Sequence, residues 1–131
     1  MIYFDSSALV KQVRDEAESS ALREWLTAQG PVIAVTSTLA RVEVVRAVAG
    51  SGQEAIQRAR ALLSELTQLQ LTSGLLDAAA DLTEPLRSLD AIHLASALRL
   101  GAGLEWFVAY DKRLLEAAKA VGLAIAAPGA S

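Results

Sequence analysis

Four carboxylates lie far apart in the sequence, next to segments whose patterns predict strand ends or helix starts. Asp5 directly follows the apolar run 1–4, and Asp111 directly follows the strand candidate 105–110. Asp90 lies in the first turn of one predicted helix, and Glu43 lies about two turns into another. Ligand sites of open α/β sheets form beyond the carboxyl ends of the strands. We therefore expect the four acids to gather at one edge of a sheet.

Such a cluster is chemically distinctive because like charges repel strongly unless a cation lies between them. Mg²⁺ takes carboxylate oxygens and keeps several of its waters. One or two such ions can activate a water and stabilise the leaving oxygen in phosphodiester hydrolysis. The chain has a single histidine, His93, and no cysteine. The composition therefore favours a metal-activated water over a side-chain nucleophile.

Each acid also has an ordinary structural explanation. Asp5 is a good helix N-cap before two serines, and Asp90 and Asp111 could complement helix dipoles. Glu43 could pair with Arg46, three residues further along the same predicted helix. The joint placement of all four acids at one edge, rather than any single one, favours the metal site.

Several neighbours of these acids are candidate supporting residues. Ser6 and Ser7 are expected to cap or orient Asp5. His93 shares a helix face with Asp90, and we interpret it as a packed or supporting residue rather than a metal ligand. A groove for RNA phosphates is one interpretation of the basic residues, and plain solvation is the other; they are Lys11, Arg14, Arg46, Arg87, Lys112 and Arg113.

Strand candidates alternate with helix candidates along the whole chain. Strands are predicted at 1–4, 32–35, 69–72, 105–110 and 123–126. Helices are predicted at 6–13, 16–29, 37–49, 53–68, 75–82, 88–100 (with Ser88 as N-cap) and 112–120. This alternation predicts a three-layer α/β protein with a parallel sheet covered on both faces. No repeat or long linker divides residues 1–131, so we expect one domain.

Composition excludes several classes of protein. Fifteen acidic and twelve basic residues give a net charge of −3, unlike a protein that binds nucleic acid through bulk positive charge. Without cysteine there is no disulfide or thiolate metal site. No segment resembles a membrane span or a signal peptide, so a cytoplasmic protein is expected. The Ala- and Leu-rich helices 16–29 and 53–68 are equally consistent with packing on the sheet and with binding a partner.

Four segments, taken together, resemble the PIN-domain ribonucleases, in particular the VapC toxins of bacterial toxin–antitoxin pairs. They are IYFDSSALVK at 2–11, ARVEVVRA at 40–47, LDAIHLASA at 89–97 and YDKRL at 110–114. They follow the family's order, and the ending Ala127-Pro128-Gly129 is also similar. The resemblance therefore covers essentially the whole chain.

The resemblance implies a compact α/β/α PIN-like fold with a short, mainly parallel sheet, and cleavage of RNA inside the chain with Mg²⁺ or Mn²⁺. Asp5, Glu43, Asp90 and Asp111 match the family's acidic quartet, which implies that these four residues are catalytic and bind the metal. Glu43 would bind the same metal as the aspartates or orient the attacking water. The substrate would be a structured RNA such as tRNA or rRNA. The resemblance also implies a homodimer and a VapB-like antitoxin whose tail blocks the active site.

Two positions depart from the family pattern. Ala109 stands where many members have Thr or Ser, and Arg113 where some have an acidic or amide residue. A second metal would then be held weakly, or only once RNA supplies oxygens.

Three other protein classes are alternatives to this family. A response-receiver domain needs adjacent acids after the first strand, where this chain has Ser6 and Ser7. A phosphatase of the haloacid-dehalogenase type needs an Asp at position 7. The more serious alternative is a catalytically silent binding module of the same fold that acts through a protein partner.

Overall fold

The computed structural model describes residues 1–130. Its five strands alternate with seven α-helices, as the sequence pattern predicts. The elements in chain order are β1 (Ile2–Phe4), α1 (Ser6–Val13), α2 (Ser19–Gln29), β2 (Ala34–Ser37), α3 (Ala40–Val48), α4 (Gln53–Glu65), β3 (Thr67–Leu69), α5 (Ser73–Asp81), α6 (Ser88–Leu98), β4 (Trp106–Val108), α7 (Lys112–Ala120) and β5 (Ile125–Ala126).

The strands form one parallel sheet in the order β3-β2-β1-β4-β5. β1 lies at its centre, where Tyr3 is in register with Val35 of β2 and Phe107 of β4. Parallel sheets are usually covered on both faces, so the central strand of such a sheet is apolar. The three residues of β1 are accordingly all buried.

Helices cover the two faces of the sheet through separate apolar clusters. On one face, Ile2 and Phe4 pack in a cluster with residues of α1, α3 and α4. On the other face, Tyr3 packs in a cluster with Phe107 and with Leu94 of α6. Successive side chains of a strand point to opposite faces, which explains this division. The structure confirms the predicted three-layer α/β/α class.

The element boundaries differ from the predicted ones in several places. α2 begins at Ser19 rather than at 16, because the Ser19 hydroxyl accepts the Glu16 N–H in a turn before the helix. α4 ends at Glu65, and the chain becomes extended early enough for β3 to pair with β2. The N-cap of α6 is Arg87, so the assignment of Ser88 as N-cap is wrong. Among residues 1–130, no helix is long and apolar enough to cross a membrane.

Candidate active site

Asp5 and Asp111 follow the neighbouring strands β1 and β4 at the same edge of the sheet. The Asp5 N–H donates to the carbonyl of Val108, the last residue of β4 (3.1 Å). Each acid also caps the next helix. Asp5 Oδ1 accepts from the N–H of Ala8 (3.0 Å), and Asp111 Oδ1 accepts from that of Leu114 (2.9 Å). Capping therefore does not compete with a role at this edge, because it fixes where each carboxylate lies.

Asp90, in the first turn of α6, faces the same region as Asp111. The Arg87 guanidinium lies between them, with Nε 3.5 Å from Asp90 Oδ2 and Nη2 3.8 Å from Asp111 Oδ2. The Arg87 side chain is 79% exposed, so these ion pairs contribute little to stability. Their geometry shows that Oδ2 of both acids faces the same guanidinium group.

Burial and neighbouring negative charges both act on the carboxyl groups of Asp5 and Asp90. Asp5 is only 5% exposed; burial raises the pKa of its carboxyl, and the charge of Asp90 adds to the rise. Burial also raises the pKa of Asp90, and there the charge of Asp111 adds to it. Carboxyl groups such as those of Asp5 and Asp90, whose pKa is raised by burial and by a neighbouring negative charge, are stabilised in the ionised form by a nearby cation.

Ser7 links Asp5 to the loop that carries Asp111. Its hydroxyl donates to Asp5 Oδ1 (2.7 Å) and accepts the N–H of Tyr110 (3.2 Å). The Lys11 ammonium lies 4.6 Å from the centre of the Tyr110 ring. Ser7 thus lies where an orienting residue for Asp5 would be expected.

Glu43 has different partners from those considered from the sequence. It lies in the first turn of α3, because that helix begins at Ala40 rather than at 37. Its Oε1 accepts hydrogen bonds from Ser6 Oγ (2.6 Å) and His93 Nε2 (2.7 Å). Ser6 therefore contacts Glu43 and not Asp5, and within residues 1–130 the partner of Glu43 is His93 rather than Arg46.

These two hydrogen bonds control the charge of Glu43. Burial by itself would raise the pKa of this carboxyl, but the bonds from His93 and Ser6 bring it below its ordinary value. The Glu43 carboxyl is therefore ionised at neutral pH. Its pKa is shifted in the opposite direction to those of Asp5 and Asp90, which are raised. An ionised carboxylate that is held by Ser6, the chain neighbour of Asp5, is able to accept a hydrogen bond from a water.

His93 is held from its other side by Tyr3, which the sequence analysis did not single out. The imidazole is 2% exposed, and its Nδ1 lies 2.7 Å from the Tyr3 hydroxyl. The two residues are 90 positions apart. The only sequence signals were a lone histidine in an apolar segment and a tyrosine two residues before Asp5.

The predicted basic groove forms only in part. Lys11 makes ion pairs with Glu16 and Glu18, and Arg14 makes one with Glu16, so both positive charges are already paired. Arg46 is exposed on α3. An open depression of about 500 Å³ lies beside Asp90 and Asp111, and its lining includes Arg87, Lys112 and Arg113.

The side chains suit a hydrated cation better than a directly ligated one. Within residues 1–130, no three Asp, Glu, His or Cys side chains converge closely enough to ligate one ion directly. The donors at this edge are nevertheless carboxylate oxygens, and Mg²⁺ commonly binds one or two carboxylates while keeping several waters. Asp5, Asp90 and Asp111 are therefore suitable to hold a metal through its waters.

Comparisons with known proteins identify the family of the chain. The PIN domain family model matches residues 2–120. Ribonuclease VapC47 of Mycobacterium tuberculosis is 48% identical over 134 residues, covering 99% of this chain and 98% of that protein. Ribonuclease VapC46 of the same species is 46% identical over 128 residues, covering 97% of each.

Solved structures show the same fold at low sequence identity. The M. tuberculosis toxin VapC20, described as cleaving the sarcin–ricin loop, superposes with a TM-score of 0.74 at 20% identity, covering 94% of this chain and 96% of that one. A toxin–antitoxin complex from Klebsiella pneumoniae contains a chain with a TM-score of 0.69 at 21% identity, covering 85% and 87%. With the family match over 2–120 and the full-length relatives, these findings place the chain in the PIN domain family, among the VapC ribonucleases of toxin–antitoxin systems.

Proposed function

We propose that this chain is a metal-dependent endoribonuclease and the toxin of a toxin–antitoxin pair, with residues 1–131 acting as one PIN domain. The observation that carries the proposal is the placement of Asp5, Asp90 and Asp111 at one sheet edge, where the carboxyl groups of Asp5 and Asp90 have raised pKa values. Asp5, Asp90 and Asp111 would hold Mg²⁺ or Mn²⁺, largely through waters. When bound, the ion supplies charge neutralisation at the phosphate and a lowered pKa for a water.

Glu43 has the properties needed to orient the attacking water. It is ionised, and Ser6 and His93 both bind its Oε1. Its other oxygen, Oε2, takes part in neither bond and can accept a hydrogen bond from a water. Attack by this water in line with the scissile bond gives products with a 5′-phosphate and a 3′-hydroxyl. Products ending in a 2′,3′-cyclic phosphate would mean that the RNA 2′-hydroxyl attacks instead.

The depression beside the aspartates supports RNA as the substrate. Arg87, Lys112 and Arg113 line it and are exposed, so they can contact phosphates on either side of the cut. Single-stranded loops of structured RNAs such as tRNA or rRNA present splayed bases and phosphates together. Binding through these side chains predicts an affinity that falls as salt rises.

The family also supplies the expected partners. A VapB-like antitoxin would place its tail over the acids, and two copies of this chain would form a homodimer in the cytoplasm. The toxin–antitoxin complex among the structural neighbours is consistent with an antitoxin partner. A tail that ends in a basic side chain would match the charge of the three aspartates.

One cleavage experiment tests the proposal. Purified, antitoxin-free protein is incubated with total bacterial RNA in Mg²⁺, in Mn²⁺ or in EDTA, and the product ends are mapped. Asp90→Asn should abolish the metal-dependent cuts. Asp77→Asn, a change at an exposed acid of α5, is the matched control and should cleave normally. If the folded wild type binds Mn²⁺ and cuts no RNA, the chain is a silent binding module.

A further inference from the structure

A buried chain of hydrogen bonds runs from the central strand to Glu43. It starts at the Tyr3 hydroxyl on β1, passes through His93 on α6 and ends at Glu43 Oε1 on α3, with both heavy-atom distances at 2.7 Å. Tyr3 is fully buried, and its ring stacks on Phe107 with centres 5.6 Å apart and planes within 2°. The His93 ring meets Tyr3 edge-on. Close packing of this kind holds both rings in one orientation.

The chemistry of the three groups determines where the hydrogens lie. An ionised carboxylate only accepts, so His93 Nε2 must carry the hydrogen that points to Glu43. In a neutral imidazole, Nδ1 then has a lone pair and accepts from the Tyr3 hydroxyl. Burial raises the pKa of Tyr3 above its ordinary value, so its hydroxyl keeps the proton that it donates.

We propose that Tyr3 and His93 are positioning residues that fix the orientation of the Glu43 carboxylate. The inference rests on the proposed function, in which Glu43 orients the attacking water. Ser6 and His93 fix Oε1 from two elements, α1 and α6, which directs Oε2 to a single place. Rates depend steeply on such placement, because a small displacement of a reacting group is costly.

A packing role alone would not require these residue types. Phe and Leu would fill the same volumes without the desolvation cost of burying a hydroxyl and an imidazole. The polar atoms of Tyr3 and His93 instead find partners in one another and in Glu43. The protein therefore has a row of hydrogen-bonded polar groups in its core, and this row ends at Glu43, a candidate site residue.

The single histidine makes the first test unambiguous. Protein labelled with ¹⁵N-histidine is studied by NMR at about pH 8, where an unperturbed imidazole is neutral. We expect the Nε2–H form. Tyr3→Phe should move the Nδ1 signal, and Glu43→Gln should move the Nε2 signal. Ser19→Ala removes another buried hydroxyl, at the far end of α1 from Ser6, and should move neither. If the His93 imidazole carries its hydrogen on Nδ1, or if the Nδ1 signal does not change in Tyr3→Phe, the proposal is wrong.

Kinetics provide the second test, with an RNA oligonucleotide that carries the mapped cut site. Loss of one hydrogen bond in the chain should lower kcat of Tyr3→Phe about three- to tenfold with KM unchanged. His93→Gln keeps an amide donor near Nε2 and should retain more kcat than His93→Leu. Ser19→Ala should lower thermal stability but leave kcat intact.

The two tests separate the failure of this inference from that of the proposed function. Equal kcat for His93→Gln and His93→Leu, or full kcat in Tyr3→Phe, would refute the positioning role. A wild type that shows the expected NMR signals and no metal-dependent cleavage would refute the nuclease and leave Glu43 without a water to orient.

Discussion

Asp5→Asn should stabilise the fold while it removes cleavage. The Asp5 carboxyl is 5% exposed and has a raised pKa. Burying its ionised form therefore lowers the free energy of unfolding of the wild type. Asn is as good an N-cap as Asp, and its Oδ1 can keep the hydrogen bonds from Ser7 and Ala8. The substitution therefore removes the charge and retains the local geometry.

The size of the effect follows from how well the charge is compensated. An uncompensated buried polar group costs about 1–3 kcal/mol, and two hydrogen bonds to Oδ1 place Asp5 in the lower part of that range. We expect a gain of about 1–2 kcal/mol, or about 4–8 °C in Tm for a domain of this size. A carboxyl whose folded pKa is raised stabilises the fold only while protonated, below its unfolded pKa. The wild type should therefore lose stability as pH rises from its unfolded value of 3.8 through the folded pKa, and Asp5→Asn should not.

Thermal unfolding from acid to neutral pH, in EDTA and in Mn²⁺, measures both effects. At about ten times its Kd, Mn²⁺ should add about 1.4 kcal/mol to the wild type and much less to Asp5→Asn. Asp77→Asn, at an exposed position, should respond to Mn²⁺ like the wild type. If Asp5→Asn is less stable than the wild type at neutral pH in EDTA, the reasoning about the buried charge is wrong.

Three further changes have definite expected outcomes. The pKa of the Glu43 carboxyl is lowered from 4.5. The free energy of unfolding of the wild type, measured with urea, should therefore fall more steeply than that of Glu43→Gln as the pH is lowered from 4.5 through the folded pKa. Arg87→Ala removes the cation that faces Asp90 and should tighten Mn²⁺ binding up to about fivefold by calorimetry; weaker binding would contradict this view of the guanidinium. Gly129 has a φ of +84°, and an added Cβ would lie 2.9 Å from α2, so Gly129→Ala should cost about 1 kcal/mol or more in urea unfolding. Gly50→Ala, where a Cβ has open space, should cost much less.

The placement of the aspartates was predictable because it depends on short-range patterns. Asp5 and Asp111 each stand between a strand and a helix, and an N-cap in an α/β unit must lie at the carboxyl edge of the sheet. Helices α1 and α7 begin and end where the sequence predicts. A side chain fixed by its own backbone to a known edge can be located without knowing its distant neighbours.

The surroundings of Glu43 were not predictable in the same way. Its contacts with Ser6 and His93 join residues 37 and 50 positions apart, and no local pattern specifies which of several polar groups meets another across three elements. Sequence spacing favoured Arg46, the opposite charge three residues further along the helix, yet the buried imidazole of His93 is the partner of Glu43. The early start of β3 has a similar cause, since pairing with β2 overrides the helical periodicity that continues to residue 68.

The position of β1 at the centre of the sheet has a consequence for synthesis of the chain. β1 is made first, but one of its two neighbours is β4, more than a hundred residues later. The hydrogen bond from the Asp5 N–H to Val108 can form only after β4 has been made, and Asp111 lies in the loop after β4. A nascent chain on the ribosome therefore holds its acids apart until β4 has emerged from the exit tunnel and inserted beside β1. The order of strands therefore delays assembly of the site until β4 has been made and has paired with β1.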